Sequence, residues 1–220
     1  MDVINQEDLW FSTPATDTLC RGGHNGPDHP TQLYALKKYW NPLSDSILDY
    51  GAGSGTTYEA IQKAWPEVAV RYRGLDVIKK NADWCNKHFK TDVFHYNDGL
   101  HVIDAEDKSF DLVYSRHVVD HMDSFEKAMD EHKRVARNMV IVVGWVPLSN
   151  QDDHEIKNID FRPSSGRLYP DEYTNIYSRK KVQEYLKDPE WEVLEFSEEV
   201  GVKHGGHDWV IVLRKKVIDK

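Results

Sequence analysis

An α/β, doubly wound fold is what the 220 residues predict: a mainly parallel, seven-stranded sheet with helices on both faces and an antiparallel edge. Three observations carry it. Short apolar, β-rich runs alternate with helical patterns between residues 46 and 145. A glycine turn follows the first run, and the last two runs are joined by a short glycine connection in place of a helix. Strands separated by helices need right-handed crossovers and pair in parallel, whereas strands joined directly pair antiparallel.

The elements follow in order. Residues 1–29, with Pro14, Gly22, Gly23, Gly26 and Pro27, read as an irregular arm and a candidate lid. Leu33, Leu36, Tyr39 and Trp40 recur at helical spacing over 31–40, and Asn41-Pro42 stops that helix. Residues 46–50 form the first strand and 54–64 a helix ended before Pro66. Strands at 70–75, 92–95 and 110–115 alternate with helices at 78–89 and 124–136, and 139–145 is a β-branched strand. Residues 147–177 read as a long, polar, irregular segment, the pattern of a substrate or lid loop. Ser178 caps a helix to 187, and 191–196 and 208–214 close the sheet as an antiparallel pair. The arm and one domain over 30–220 complete the organisation.

Composition narrows the function. With 28 Lys and Arg against 37 Asp and Glu the net charge is −9, which opposes nucleic acid or an anionic membrane as main partner. No apolar run is long enough to span a bilayer, and the polar start MDVINQEDLWF reads as neither a signal nor a transit peptide. Cys20 and Cys85 are too few for a disulfide framework and lack zinc spacing, so free thiols in a reducing cytoplasm are expected.

The stretch Asp49-Tyr-Gly51-Ala52-Gly53-Ser-Gly55 carries the chemistry. Glycines between a first strand and first helix let a ligand approach the main chain where a Cβ would collide. Their strict alternation departs from the G-x-G-x-x-G of dinucleotide sites, and an acid two positions ahead suits a ligand with an ammonium or sulfonium centre better than a pyrophosphate. Asp76 ends the second strand, where a carboxylate accepts ribose hydroxyls. Asn97-Asp98-Gly99 ends the third.

These residues resemble class I S-adenosylmethionine-dependent methyltransferases, of Rossmann-like fold, over residues 46–146. The resemblance implies S-adenosyl-L-methionine as cofactor. It implies binding by Asp49, Gly51, Ala52, Gly53 and Gly55, with Asp76 on the ribose and Val77 on the adenine. Asp98 and Gly99 would sit at the adenine edge, and Ser115 and Arg116 near the methionine part.

After the fourth strand, His117, Asp120 and His121 stand at i, i+3 and i+4, one face of a helical turn. Two roles are open to them. A neutral histidine, oriented by the acid, is a general base towards an acceptor hydroxyl. The three together are also a candidate divalent-metal set, because VVDHMDSFEKAM resembles the acid–x–x–acid–His stretch of ubiquinone-type O-methyltransferases, with His117 replacing the first acid. Asp153 and His154, in an acidic cluster beyond the fifth strand, are the next candidate ligands by resemblance to sugar O-methyltransferases, although a solvated loop is favoured.

Trp145, Phe161, Tyr169, Tyr173 and Tyr177, with Asn150, Asn158, Arg162 and Arg167, supply aromatic platforms beside hydrogen-bond donors. The expected function is therefore O-methylation of a small polar acceptor, a sugar in a glycan, with the chain as one domain of a larger glycan-assembly protein among the expected settings. A phenolic or amine metabolite, or a non-catalytic cofactor-binding domain, is the alternative.

Overall fold

In the computed structural model, the described residues are 26–29, 31–67, 70–99, 102–122, 124–158, 173–200 and 208–217. Helix α1 spans Tyr34–Tyr39, strand β1 Ile47–Tyr50, α2 Thr56–Ala64, β2 Tyr72–Asp76, α3 Lys79–Phe89 and β3 Phe94–Tyr96. Then come β4 Phe110–Arg116, a 3₁₀ turn Val119–His121, α4 Phe125–Val135 and β5 Ala136–Gly144. The last elements are β6 Glu155–Asn158, β7 Tyr173–Ile176, α5 Arg179–Tyr185, β8 Trp191–Val200 and β9 Asp208–Lys215.

The main sheet has seven strands in the order β3-β2-β1-β4-β5-β9-β8. β1 pairs in parallel with β2 and β4, β2 with β3, and β4 with β5. β9 runs antiparallel to both β5 and β8. The expected parallel sheet with a reversed edge is thus the one observed. The order reverses at β1, and the carboxyl ends of β1 and β4 flank that switch point, where open α/β sheets bind ligands.

Alternation along the strands builds a core on each face. Leu48, Tyr50, Val113, Val140 and Val142 pack with Phe125, Ala128, Met129 and Val182 of α4 and α5. Ile47, Leu112, Tyr114, Ile141 and Val143 pack with Leu36, Ile61, Ala82 and Cys85 of α1 to α3. Phe125, Ala128, Met129, His132 and Val135 form the buried stripe of α4, and Ser124 Oγ caps it by accepting from Lys127 N. Glu195 on β8 accepts from Tyr34 Oη, Lys38 Nζ and Tyr39 Oη, which pins α1 to the edge pair.

The expectation of an irregular segment over 147–177 needs correcting at its two ends. β6 and β7 pair antiparallel there, Glu155 opposite Ile176 and Asn158 opposite Tyr173. A polar run without alternation hides a strand whose pairing is set by its partner and not by an apolar face. The arm over 1–25, residues 159–172 and the connection 201–207 lie outside the described residues, and with them Phe161, Arg162, Arg167, Tyr169, His204 and His207. Among the described residues no helix is long and apolar enough to cross a membrane, and Cys85 is a buried free thiol.

Candidate active site

The glycine loop sits at the end of β1. Gly51, Gly53 and Gly55 all have positive φ, +74°, +52° and +71°. A Cβ on Gly51 would lie 2.2 Å from Val118 Cγ2, so there the packing itself demands glycine. On Gly53 the nearest atom to a Cβ would be the Gly51 carbonyl oxygen at 3.9 Å. That open cradle, bounded by main chain, is the form a closely approaching ligand requires. The loop is held by Gly51 N and Ala52 N donating to Leu75 O at 2.8 and 2.9 Å.

Asp76, 7% exposed, anchors the next wall. Its Oδ2 accepts from Gly53 N at 2.7 Å, and its Oδ1 from Ile78 N at 2.9 Å and Asn81 Nδ2 at 3.0 Å. Two carboxylate oxygens offer about four acceptor positions, so a ribose hydroxyl can still be received. Burial raises the pKa of Asp76, and the three donors oppose that rise. Val77 is half-buried beside it, and Asp98 and Gly99 are exposed beyond β3. Asn97, fully buried and unassigned by the sequence reading, shapes that turn by donating to Gly99 O and Val102 O and accepting from Asp104 N. These residues fit the nucleoside of S-adenosylmethionine: the Gly53 cradle, the Asp76 carboxylate and the exposed Asp98-Gly99 edge.

Three expected cofactor residues are placed differently. Asp49 is 1% exposed, and its Oδ2 accepts from Tyr72 Oη at 2.6 Å. Burial pushes its carboxyl up to about 7. It faces the α1–α3 core because β1 alternation turns it there. Ser115 faces the other layer, fully buried, with Oγ 2.9 Å from His132 Nε2. His132 Nδ1 lies 2.6 Å from Ala128 O and must donate to it, so Nε2 accepts from Ser115. Arg116 is 9% exposed, with Nη2 3.2 Å from Thr31 Oγ1 and 3.5 Å from Asp208 Oδ2.

The shared face of His117, Asp120 and His121 does not form. His117 has φ +58°, and only Val119–His121 make a 3₁₀ turn, so α-helical spacing does not apply. Asp120 is fully buried, and its oxygens accept from Trp145 N at 3.1 Å and Val146 N at 3.4 Å, holding the exit of β5. Burial pushes its carboxyl up to about 7. His121 is half-buried, its ring 6.4 Å from that of Trp145. His117 Nε2 lies 3.2 Å from Asp208 Oδ1.

A metal does not fit this set: among the described residues no three His, Cys, Asp or Glu groups gather to hold one. His154 instead accepts from Ser178 N at 2.9 Å through Nδ1, with Nε2 3.1 Å from Glu126 Oε1, and Asp153 pairs with Lys181 at 2.6 Å. Tyr177, expected as an aromatic platform, is 1% exposed, its hydroxyl 2.6 Å from Val119 O and 2.8 Å from Met122 O. Trp145 is 38% exposed. The sequence reading missed Asp208 and Thr31, which are 2% exposed and joined by Thr31 Oγ1 donating to Asp208 Oδ2 at 2.6 Å.

Fold and site together are those expected for binding S-adenosylmethionine, and the comparisons with known proteins point the same way. Residues 48–143 match the family model described as "Methyltransferase domain". Among solved structures the chain is similar to an S-adenosylmethionine-dependent methyltransferase of Aquifex aeolicus, at 16% identity and TM-score 0.61, over 93% of this chain and 99% of that one. It is similar to a chain of the complex containing the Haloferax volcanii Trm112 methyltransferase activator, at 17% and 0.68, over 98% and 100%. The glycopeptide N-methyltransferase MtfA, solved with S-adenosyl-L-methionine, matches at 11% and 0.61, over 86% and 95%. No curated protein is a significant match. The chain thus shares the fold of S-adenosylmethionine-dependent methyltransferases, and its residues 48–143 carry the match to a methyltransferase domain.

Proposed function

We propose that the chain transfers a methyl group to a hydroxyl of a small polar acceptor, a sugar in a glycan, with His117 as general base. The carrying observation is the 3.2 Å contact of His117 Nε2 with Asp208 Oδ1 at the carboxyl end of β4. When bound, the cofactor supplies an electrophilic sulfonium methyl. Gly51, Ala52 and Gly53 would cradle it, and Asp76, Val77, Asp98 and Gly99 would hold its nucleoside.

Burial lowers the His117 pKa to about 4, so the ring is neutral and ready to accept a proton at neutral pH. So weak a base suffices, because an attacking hydroxyl becomes strongly acidic as its oxygen bonds to carbon. His117 takes that proton late, and Asp208 stabilises the imidazolium formed. Trp145, exposed beside His121, supports the sugar reading as a flat apolar surface edged by a polar ring. The negative charge of the chain supports an acceptor other than nucleic acid. A cytoplasmic setting goes with this reading.

The test is incubation with methyl-labelled cofactor and a panel of mono- and oligosaccharides, phenols and amines, read by mass spectrometry. Label on a saccharide oxygen is expected. Label confined to a phenol or amine would overturn the sugar, and tight cofactor binding without transfer to any acceptor would overturn the enzyme in favour of a binding domain.

A further inference from the structure

Two distant segments converge on Asp208. Thr31, from the segment ahead of α1, donates its hydroxyl to Oδ2 at 2.6 Å, and His29 Nδ1 lies 2.8 Å from that same hydroxyl. Arg116 Nη2, at the end of β4, lies 3.5 Å from Oδ2. His117 Nε2 lies 3.2 Å from Oδ1. The carboxylate is buried, and pairing brings it here: Trp209 lies opposite Gly144 and Val143 opposite Arg116, so the start of β9 is level with the end of β4.

Alternation alone would not take His117 to it. Residues two apart on a strand share a face, and Ser115 faces α4 through His132. Arg116 and Asp208 lie on the opposite face. The left-handed backbone of His117, fixed by its N–H donating to Val143 O at 2.7 Å, breaks that parity and brings the imidazole to Asp208. A non-glycine residue held there costs of order 1–2 kcal/mol, so the surrounding contacts must over-determine it.

We propose that Asp208 is a positioning residue for His117, fixing its imidazole as the Nε2–H tautomer and leaving the lone pair on Nδ1. The reason is chemical. An ionised carboxylate attracts an N–H and repels a nitrogen lone pair, so although the 3.2 Å approach falls short of full hydrogen-bond geometry, the nitrogen nearest it carries the hydrogen, and a neutral imidazole has one hydrogen to place. Arg116 already neutralises Asp208, so the pocket does not require His117 to be charged. A second cation beside Arg116 and near His121 is disfavoured. The base of the proposed reaction is therefore Nδ1. Thr31 seats the segment ahead of α1 on the second oxygen and keeps Asp208 from turning away.

The inference rests on His117 being the base, but its test does not depend on the acceptor. Histidine side chains labelled with ¹⁵N are read by NMR at pH 7 in the full chain with S-adenosylmethionine bound, and His117 is assigned by its loss in His117→Gln. The wild type should show His117 in the Nε2–H form alone, without the Nδ1–H fraction that free histidine carries. Asp208→Asn can donate through its amide, so an Nδ1–H population should appear. Asp208→Glu should restore the wild-type form. A wild-type ring in the Nδ1–H or protonated state would overturn the proposal, as would an Asp208→Asn spectrum like that of the wild type. If Asp208→Asn does not fold, the wild-type and Asp208→Glu spectra decide. For any acceptor found in the saccharide panel, the kcat losses of Asp208→Asn and His117→Gln should not multiply in the double variant, and multiplication would mean a merely structural role. Failure of the sugar reading leaves the tautomer result standing, and an Nδ1–H spectrum sinks the positioning role while leaving the transferase intact.

Discussion

The backbone N–H of Gly53 donates to Asp76 Oδ2 at 2.7 Å, so the glycine loop and the carboxylate at the end of β2 are one rigid unit. Substituting Gly53 and Gly51 separates ligand clearance from fold clearance. Gly53→Ala meets open space and bears only the positive-φ strain, of order 1 kcal/mol. Calorimetry should show its S-adenosylmethionine affinity reduced at least tenfold with a small shift in Tm. Gly51→Ala drives a Cβ into Val118 and should lose several degrees of Tm even without cofactor. Equal effects at the two glycines would show that the Gly53 cradle holds nothing.

Asp76→Asn replaces an acceptor-only group with one that presents an NH₂ to the donors Gly53 N, Ile78 N or Asn81 Nδ2. The clash of donors costs about 1–3 kcal/mol of stability. Cofactor affinity should fall tenfold or more. An unchanged Kd would remove Asp76 from the ribose site.

His132 gives a pH prediction. Burial lowers its folded pKa to about 4, against 6.5 for an open chain. Between those values the unfolded chain binds a proton that the folded chain refuses, so its contribution is present above pH 6.5 and lost as pH falls towards 4. Asp120, pushed up to about 7, works in the opposite direction over an overlapping range and masks the loss in the whole protein. His132→Gln should therefore be less acid-sensitive than the wild type. The difference in urea-derived stability should change by about 1 kcal/mol per pH unit between pH 4.5 and 6. Parallel curves would mean His132 is charged inside the core.

Asp120→Ala leaves the N–H groups of Trp145 and Val146 inside the protein without their carboxylate. The loss expected in urea denaturation is about 2–4 kcal/mol. His117→Gln, by contrast, should retain most of the stability and lose turnover. If Asp120→Ala is stable but inactive, Asp120 acts in the chemistry and does more than hold the exit of β5.

What local sequence could reveal, it revealed. Strand–glycine–helix succession is a short-range pattern, so β1, the loop to α2 and the acid at the end of β2 stood out together. Asp49 and Ser115 show the limit of that reading: motif position named them, but strand alternation sends one into the α1–α3 core and the other onto His132. The loop over 147–177 shows it again, because β6 and β7 exist only through each other's hydrogen bonds.

By itself, then, the sequence determined the sheet, the glycine loop after β1 and the acid at the end of β2, all written in residues close together along the chain. The tertiary structure alone decided the company His117 keeps. Asp208 reaches it because β9 is inserted antiparallel beside β5, and His117 turns towards it because one left-handed residue breaks the two-residue alternation of β4. Long-range pairing and a single backbone angle leave no mark in local spacing, so the carboxylate that faces the histidine could only be found once the chain was folded.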